Sequence, residues 1–117
     1  MTGEYVPDDL DDWLLADTIT AAEYEVLSGG SEHPALIRLT DREGTVRLPA
    51  FQFDAAGRPH PIVLEINKLL GADSDPWGTA DWWLGTHPLL GKAPAKALGT
   101  VTDDTLLTAA RAESLER

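Results

Sequence analysis

The chain has 117 residues and 43% apolar side chains, enough for one compact core and too few for several domains. Its net charge is −11, with 20 acids against 9 bases, so it repels phosphate backbones rather than attracting them. It has no cysteine, which excludes disulfides and thiolate chemistry and is compatible with the cytoplasm.

The charge is unevenly placed. Residues 1–37 contain no Lys or Arg, and Glu4, Asp8, Asp9, Asp11, Asp12, Asp17, Glu23, Glu25 and Glu32 concentrate the negative charge there. Such a segment is either a solvated, solubilising face or a dock for a basic partner. No stretch of 18 apolar residues occurs, so no membrane span is expected, and Met1–Leu10 lacks the cationic and apolar regions of a signal peptide.

Met1–Pro7 reads as a loose tail. Asp8–Ala16 reads as a short helix with Leu10, Trp13 and Leu14 at i, i+3, i+4. Its acidic start lacks the alternating ligands and glycine of a calcium loop. Thr20-Ala21-Ala22-Glu23 is a capping box that opens a helix to about Leu27, before Ser28-Gly29-Gly30. Ala35–Thr40 and Thr45–Leu48 then read as two strands of a hairpin spanning 35–48, with Gly44 suited to the left-handed position of its turn.

Past the rigid Pro59-His60-Pro61 turn, Ile62, Ile66, Leu69 and Leu70 give an amphipathic helix closed by Gly71. Asp75 is a natural N-cap with Pro76 at the first helical position. Trp77, Ala80 and Leu84 then make one apolar stripe, with Trp83 on its flank and Trp82 further round, and Gly85 ends the helix. Trp82 and Trp83 point about 100° apart on a helix, so one of the two is expected at an interface. Pro88 and Pro94 bracket a corner around Gly91, and a second short helix follows, with Leu98 inward and Gly99 after it. Thr102 caps a last helix whose inward stripe is Leu106, Leu107 and Ala110, with Leu115 as its final candidate.

The stretch Trp83-Leu84, Pro88-x-Leu90-Gly91-x-x-Pro94-x-x-x-Leu98-Gly99 resembles the C-terminal toxin-binding domain of the Xre/MbcA/ParS-type antitoxins. The upstream Leu48-Pro49-Ala50-Phe51-Gln52-Phe53-Asp54 is similar to a phrase frequent in longer members, and the likeness covers about Leu48 to Ala110. His87 stands where the family typically has Asn, and Lys92 where it often has Gly. The resemblance implies a mainly α (α+β) fold with one β-hairpin. It comprises an acidic extension (1–17), a degenerate winged helix-turn-helix-like segment (18–54) and a helical toxin-binding-like domain (55–117).

The winged-helix likeness lacks its reading helix, because Ser28–Pro34 offers two glycines, a proline and no Lys, Arg, Asn or Gln. Autonomous nucleic-acid binding is therefore not expected. By the same resemblance the partner is a cognate protein toxin of the RES class, which consumes NAD or transfers ADP-ribose, and homodimers are common among members. The implied contact face is the Trp82–Leu90 corner and the last helix with its Glu113–Arg117 tail. Its candidate residues are Trp82, Trp83, His87, Leu90, Lys92, Arg111 and Arg117.

No HExxH, G-x-S-x-G or phosphate-binding glycine loop occurs, no serine has an evident base, and no cofactor or enzymatic activity is expected. Two other roles stay open: a transcriptional regulator that binds DNA through an oligomer or through Arg38, Arg42 and Arg47, and a repurposed scaffold subunit.

Overall fold

The computed structural model describes residues 12–28 and 33–115. The expected tail, the start of the first helix, the Gly29–Glu32 stretch and Arg117 lie outside the described residues, as does the side chain of Trp13.

The described residues form a small α+β fold. A three-stranded antiparallel sheet carries β1 (Thr18–Thr20), β2 (Leu39–Thr40) and β3 (Val46–Pro49) in the order β1-β3-β2. The helices are α1 (Ala21–Ser28), α2 (Pro61–Leu70), α3 (Pro76–Leu84), α4 (Pro94–Ala97) and α5 (Asp103–Leu115), with single 3-10 turns at Asp12–Leu15 and Ala50–Gln52. Among these, no helix is long and apolar enough to cross a membrane.

The capping box forms as expected: Glu23 N–H donates to Thr20 Oγ1 at 3.1 Å, and Thr20 N–H donates to Glu23 Oε1 at 3.0 Å. The hairpin also forms, with Gly44 at φ 83° in its turn. Its first arm is shorter than the 35–40 expected, because only Leu39 and Thr40 pair with β3. The other edge of β3 is taken by Thr18–Thr20, a strand that three residues of sequence do not announce. The expected helix at Asp8–Ala16 is a single 3-10 turn in its described part, from which Leu14 enters the core.

What replaces the missing strand pairing is a side chain. Gln52 is fully buried, and its Oε1 accepts from Ile37 N–H at 2.7 Å while its Nε2 donates to Ile37 C=O at 3.2 Å and to Pro49 C=O at 3.2 Å. It gives Ile37 the donor and acceptor that a neighbouring strand would have given. Asn67 Nδ2 donates to the same Gln52 Oε1 at 3.1 Å, and Trp83 Nε1 donates to Asn67 Oδ1 at 2.8 Å. Asn67 and Trp83 are fully buried too, so one polar chain runs from the sheet side through α2 to α3.

Asn67 also sets the register of α2. The buried face is Val63, Ile66, Asn67 and Leu70, while Leu69 is partly exposed, so the stripe is turned from the one the leucines suggested. On α5, Leu106, Ala109 and Ala110 are buried, whereas Leu115 lies outside the core at 88% exposure. The main apolar cluster takes Leu14, Ile37, Leu39, Val63, Ile66, Trp83 and Leu106, so all three expected segments share it. A second cluster of Tyr24, Leu36 and Leu48 packs with Phe53 and Leu64 on the α1 side.

Replacing Asn67 by Ala should cost about 2–4 kcal/mol, because it removes volume and leaves the Trp83 N–H unpaired in the core. Trp83→Phe should cost about 1–3 kcal/mol by orphaning Asn67 Oδ1. Urea unfolding of the two variants checks both.

Three carboxyls are held below their ordinary values of 3.8 for Asp and 4.5 for Glu. Glu23 is lowered by its bonds from the backbone and side chain of Thr20, Asp41 by the Arg47 guanidinium at 2.6 Å, and Asp54 by the Arg58 and Ala56 amides. A depressed folded value stabilises fully above the unfolded value and ceases to do so as pH falls through the folded one. The thermal midpoint should therefore hold above about pH 5 and fall progressively below about pH 4, less steeply in Asp41→Asn, as read by differential scanning calorimetry.

Candidate interaction surface

The surface is built from the start of α3. Asp75 Oδ1 accepts from Gly78 N–H at 3.1 Å, capping the helix, and Pro76 occupies its first turn. A Cβ at position 78 would meet the Asp75 carboxylate, which would have to shift to make room for it. With the helix so placed, Thr79, Ala80 and Trp83 enter the core, and Trp77 and Leu84 lie partly buried at its edges. This corrects the stripe read from Trp77, Ala80 and Leu84: the hydrogen bond from Trp83 to Asn67 rotates α3 about its axis.

Trp83 has no exposed surface, so of the adjacent tryptophans it is the structural one and leaves the set of surface contacts. Trp82 is also largely covered, at 7% exposure, where only one of the pair was expected inside. The two indoles meet edge to face at 5.2 Å, Phe51 stacks on Trp83 at 5.1 Å, and the His87 ring lies against Trp82 at 5.9 Å. An aromatic series thus runs from the core out to the corner after α3, and the cover for Trp82 comes from the same chain.

That corner is tied to itself. Gly85 N–H donates to Asp81 C=O at 2.8 Å and ends α3, as expected, with extended backbone at φ −85°. His87 N–H donates to Lys92 C=O at 3.1 Å, and Gly91, at φ 69°, returns its N–H to His87 C=O at 2.9 Å. The His87 Nδ1 accepts from Leu89 N–H at 3.1 Å, which holds the imidazole over Trp82 and turns Leu89 outward. Leu89 is 69% exposed.

Between the corner and the end of α5 lies a groove of about 480 Å³. One wall is Gly78, Asp81, Trp82 and Gly85, which share a face of α3 at i, i+3, i+4, i+7, with the two glycines leaving room. Ala112 and Glu113 of α5 form the other wall, and residues 86–89 form its end.

Of the residues singled out from sequence, Trp82 and His87 line this groove. Leu90 is half-buried and packs on the core, while Lys92 and Arg111 are exposed outside the lining. Arg117 lies outside the described residues. Asp81, Leu89 and Ala112 were missed. Nothing in periodicity says that Leu90 turns in and Leu89 out. Among the described residues, no three His, Cys, Asp or Glu side chains gather to hold a metal ion.

Comparison with protein-family models, with curated proteins and with solved structures returned no match in any of the three.

Replacing His87 by Ala should free the Leu89 amide and uncover Trp82. The expected loss is about 1 kcal/mol in urea unfolding, with a red shift of the native tryptophan emission.

Proposed function

We propose that this chain is a protein-binding module of antitoxin type, which docks on a cognate toxin of the RES class and covers its active site. The corner after α3 and the end of α5 are the contact face. The observation that carries this reading is Leu89, 69% exposed on the lip of a groove that the corner and α5 share. A large apolar side chain held outward by a backbone bond to His87 suits an interface anchor. The likeness of Leu48–Ala110 to antitoxin toxin-binding domains adds the partner class.

The DNA-binding alternative draws less support from the hairpin. Arg47 is engaged by Asp41 at 2.6 Å, and Arg38 donates to the carbonyls of His33 and Leu36, each at 3.3 Å. Both guanidinium groups are thus occupied within the chain. Residues 33–38 between α1 and β2 contain no helix to enter a groove of DNA.

Co-expression with the product of the neighbouring gene tests the reading by co-purification and by rescue from growth arrest. Wild type should co-purify and rescue. Leu89→Glu with Leu115→Glu should lower recovery of the complex about tenfold or more while leaving the far-UV circular dichroism unchanged. Trp82→Ala is a poorer probe, since it opens a cavity as well as changing the surface. If the chain elutes alone and the neighbouring product is harmless, the antitoxin role is lost and a DNA-binding and oligomer screen decides between the remaining roles.

A further inference from the structure

The bond that turns Leu89 outward is one that a proton can break. His87 Nδ1 accepts from the Leu89 N–H at 3.1 Å, and among the described residues that amide has no other acceptor. An amide N–H only donates, so Nδ1 must offer a lone pair, and the neutral ring must carry its hydrogen on Nε2. A proton from solvent added to Nδ1 takes that same lone pair. Two donors then face each other and the bond is lost. Imidazole is the side chain that makes this change between about pH 5 and 8.

The remainder of the corner has nothing to titrate. The His87 backbone is held by three bonds: its N–H donates to Lys92 C=O at 3.1 Å, and its C=O accepts from Leu90 N–H at 3.1 Å and from Gly91 N–H at 2.9 Å. Pro88 restricts it further by crowding the residue before it. These bonds join uncharged backbone groups, so protonation turns the ring and leaves the corner closed. The ring is half-buried against Trp82 at 5.9 Å, but its bond to Leu89 lies at the surface. Water can therefore replace the imidazole at the Leu89 amide, and the fold is kept.

Two other ionisable side chains line the groove beside the ring. They are Asp81 on α3 and Glu113 on α5, the second of which is already engaged within the chain. On the corner itself Lys92 meets His87 through its backbone. None of the three supplies or accepts the Leu89 bond, which belongs to His87 alone.

We propose that His87 is a proton-operated latch on Leu89: the neutral imidazole holds that residue in place, and the protonated one lets it go. The latch is a property of the free chain. It goes beyond the protein-binding reading, needs no partner to be observed, and fails or stands separately from the antitoxin role.

An NMR titration of the full-length, ¹⁵N-labelled chain from about pH 8 to about pH 5 tests it. At the alkaline end the His87 ring should be the Nε2–H tautomer. The Leu89 amide should then move in one step, with the midpoint of the His87 ring itself, while the indole N–H of Trp83 holds its position in the core. His87→Asn supplies an acceptor that does not titrate, because an asparagine oxygen also reaches the amide two residues on. It should keep the Leu89 amide near its alkaline position and abolish the step. A step that survives in His87→Asn is carried by Asp81, Glu113, His33 or His60 and overturns the proposal. So does an Nδ1–H tautomer at the alkaline end, or a Leu89 amide that stays still while His87 titrates. The last two are read on the unaltered chain and need no variant to fold.

Discussion

The fold depends on one buried polar chain: Trp83 to Asn67, Asn67 to Gln52, and Gln52 to the backbone of Ile37. Each group in it is withdrawn from water, so each bond left unmade would carry the cost of an unpaired buried donor or acceptor. An apolar core of the same volume would tolerate several rotations of α2 and α3. This chain tolerates one, because Asn67 must face both Gln52 and Trp83. Gln52 does the further work of closing the Ile37 backbone, which allows residues 35–38 to cross the core as irregular chain instead of strand.

The surface follows from that constraint. Once Trp83 is fixed inward, the neighbouring Trp82 is carried about 100° round the helix to the wall facing α5. Asp81 and Gly78 come to the same wall by their spacing. The corner then folds back through the His87–Lys92 bridge and covers Trp82 with an imidazole, and the same imidazole directs Leu89 to solvent. Core and candidate interface are adjacent residues of one short helix, coupled by ring contacts at 5.2 Å and 5.9 Å. Substitutions at Trp82 or Trp83 therefore change stability and surface together, whereas Leu89 and Leu115 are free to change the surface alone.

Electrostatics divides the molecule in a similar way. Where carboxylates meet the fold they are used locally: Glu23 closes a capping box, Asp41 holds the hairpin turn and Arg47, and Asp54 ties its own turn. Asp81 and Glu113 line the groove between α3 and α5.

The sequence by itself determined the local elements, because capping, glycine and proline chemistry act over a few residues. Thr20 with Glu23, Asp75 with Pro76, Gly44 in its turn, Gly71 after α2 and Thr102 before α5 all stand where they were expected. The α+β class that the resemblance implied is the one these elements form. What only the tertiary structure decided was orientation. Val63 and Asn67 rather than Leu69 face inward, Trp83 and Trp82 are both covered, Leu115 is bare, and Thr18–Thr20 forms a third strand. Those outcomes rest on partners 15 or 16 residues apart, such as Gln52 with Asn67 and Asn67 with Trp83. Helical periodicity counts apolar residues on a face. It carries no record of a buried amide that finds its partner on another element, and here that partner sets which face is the core and which is left at the surface.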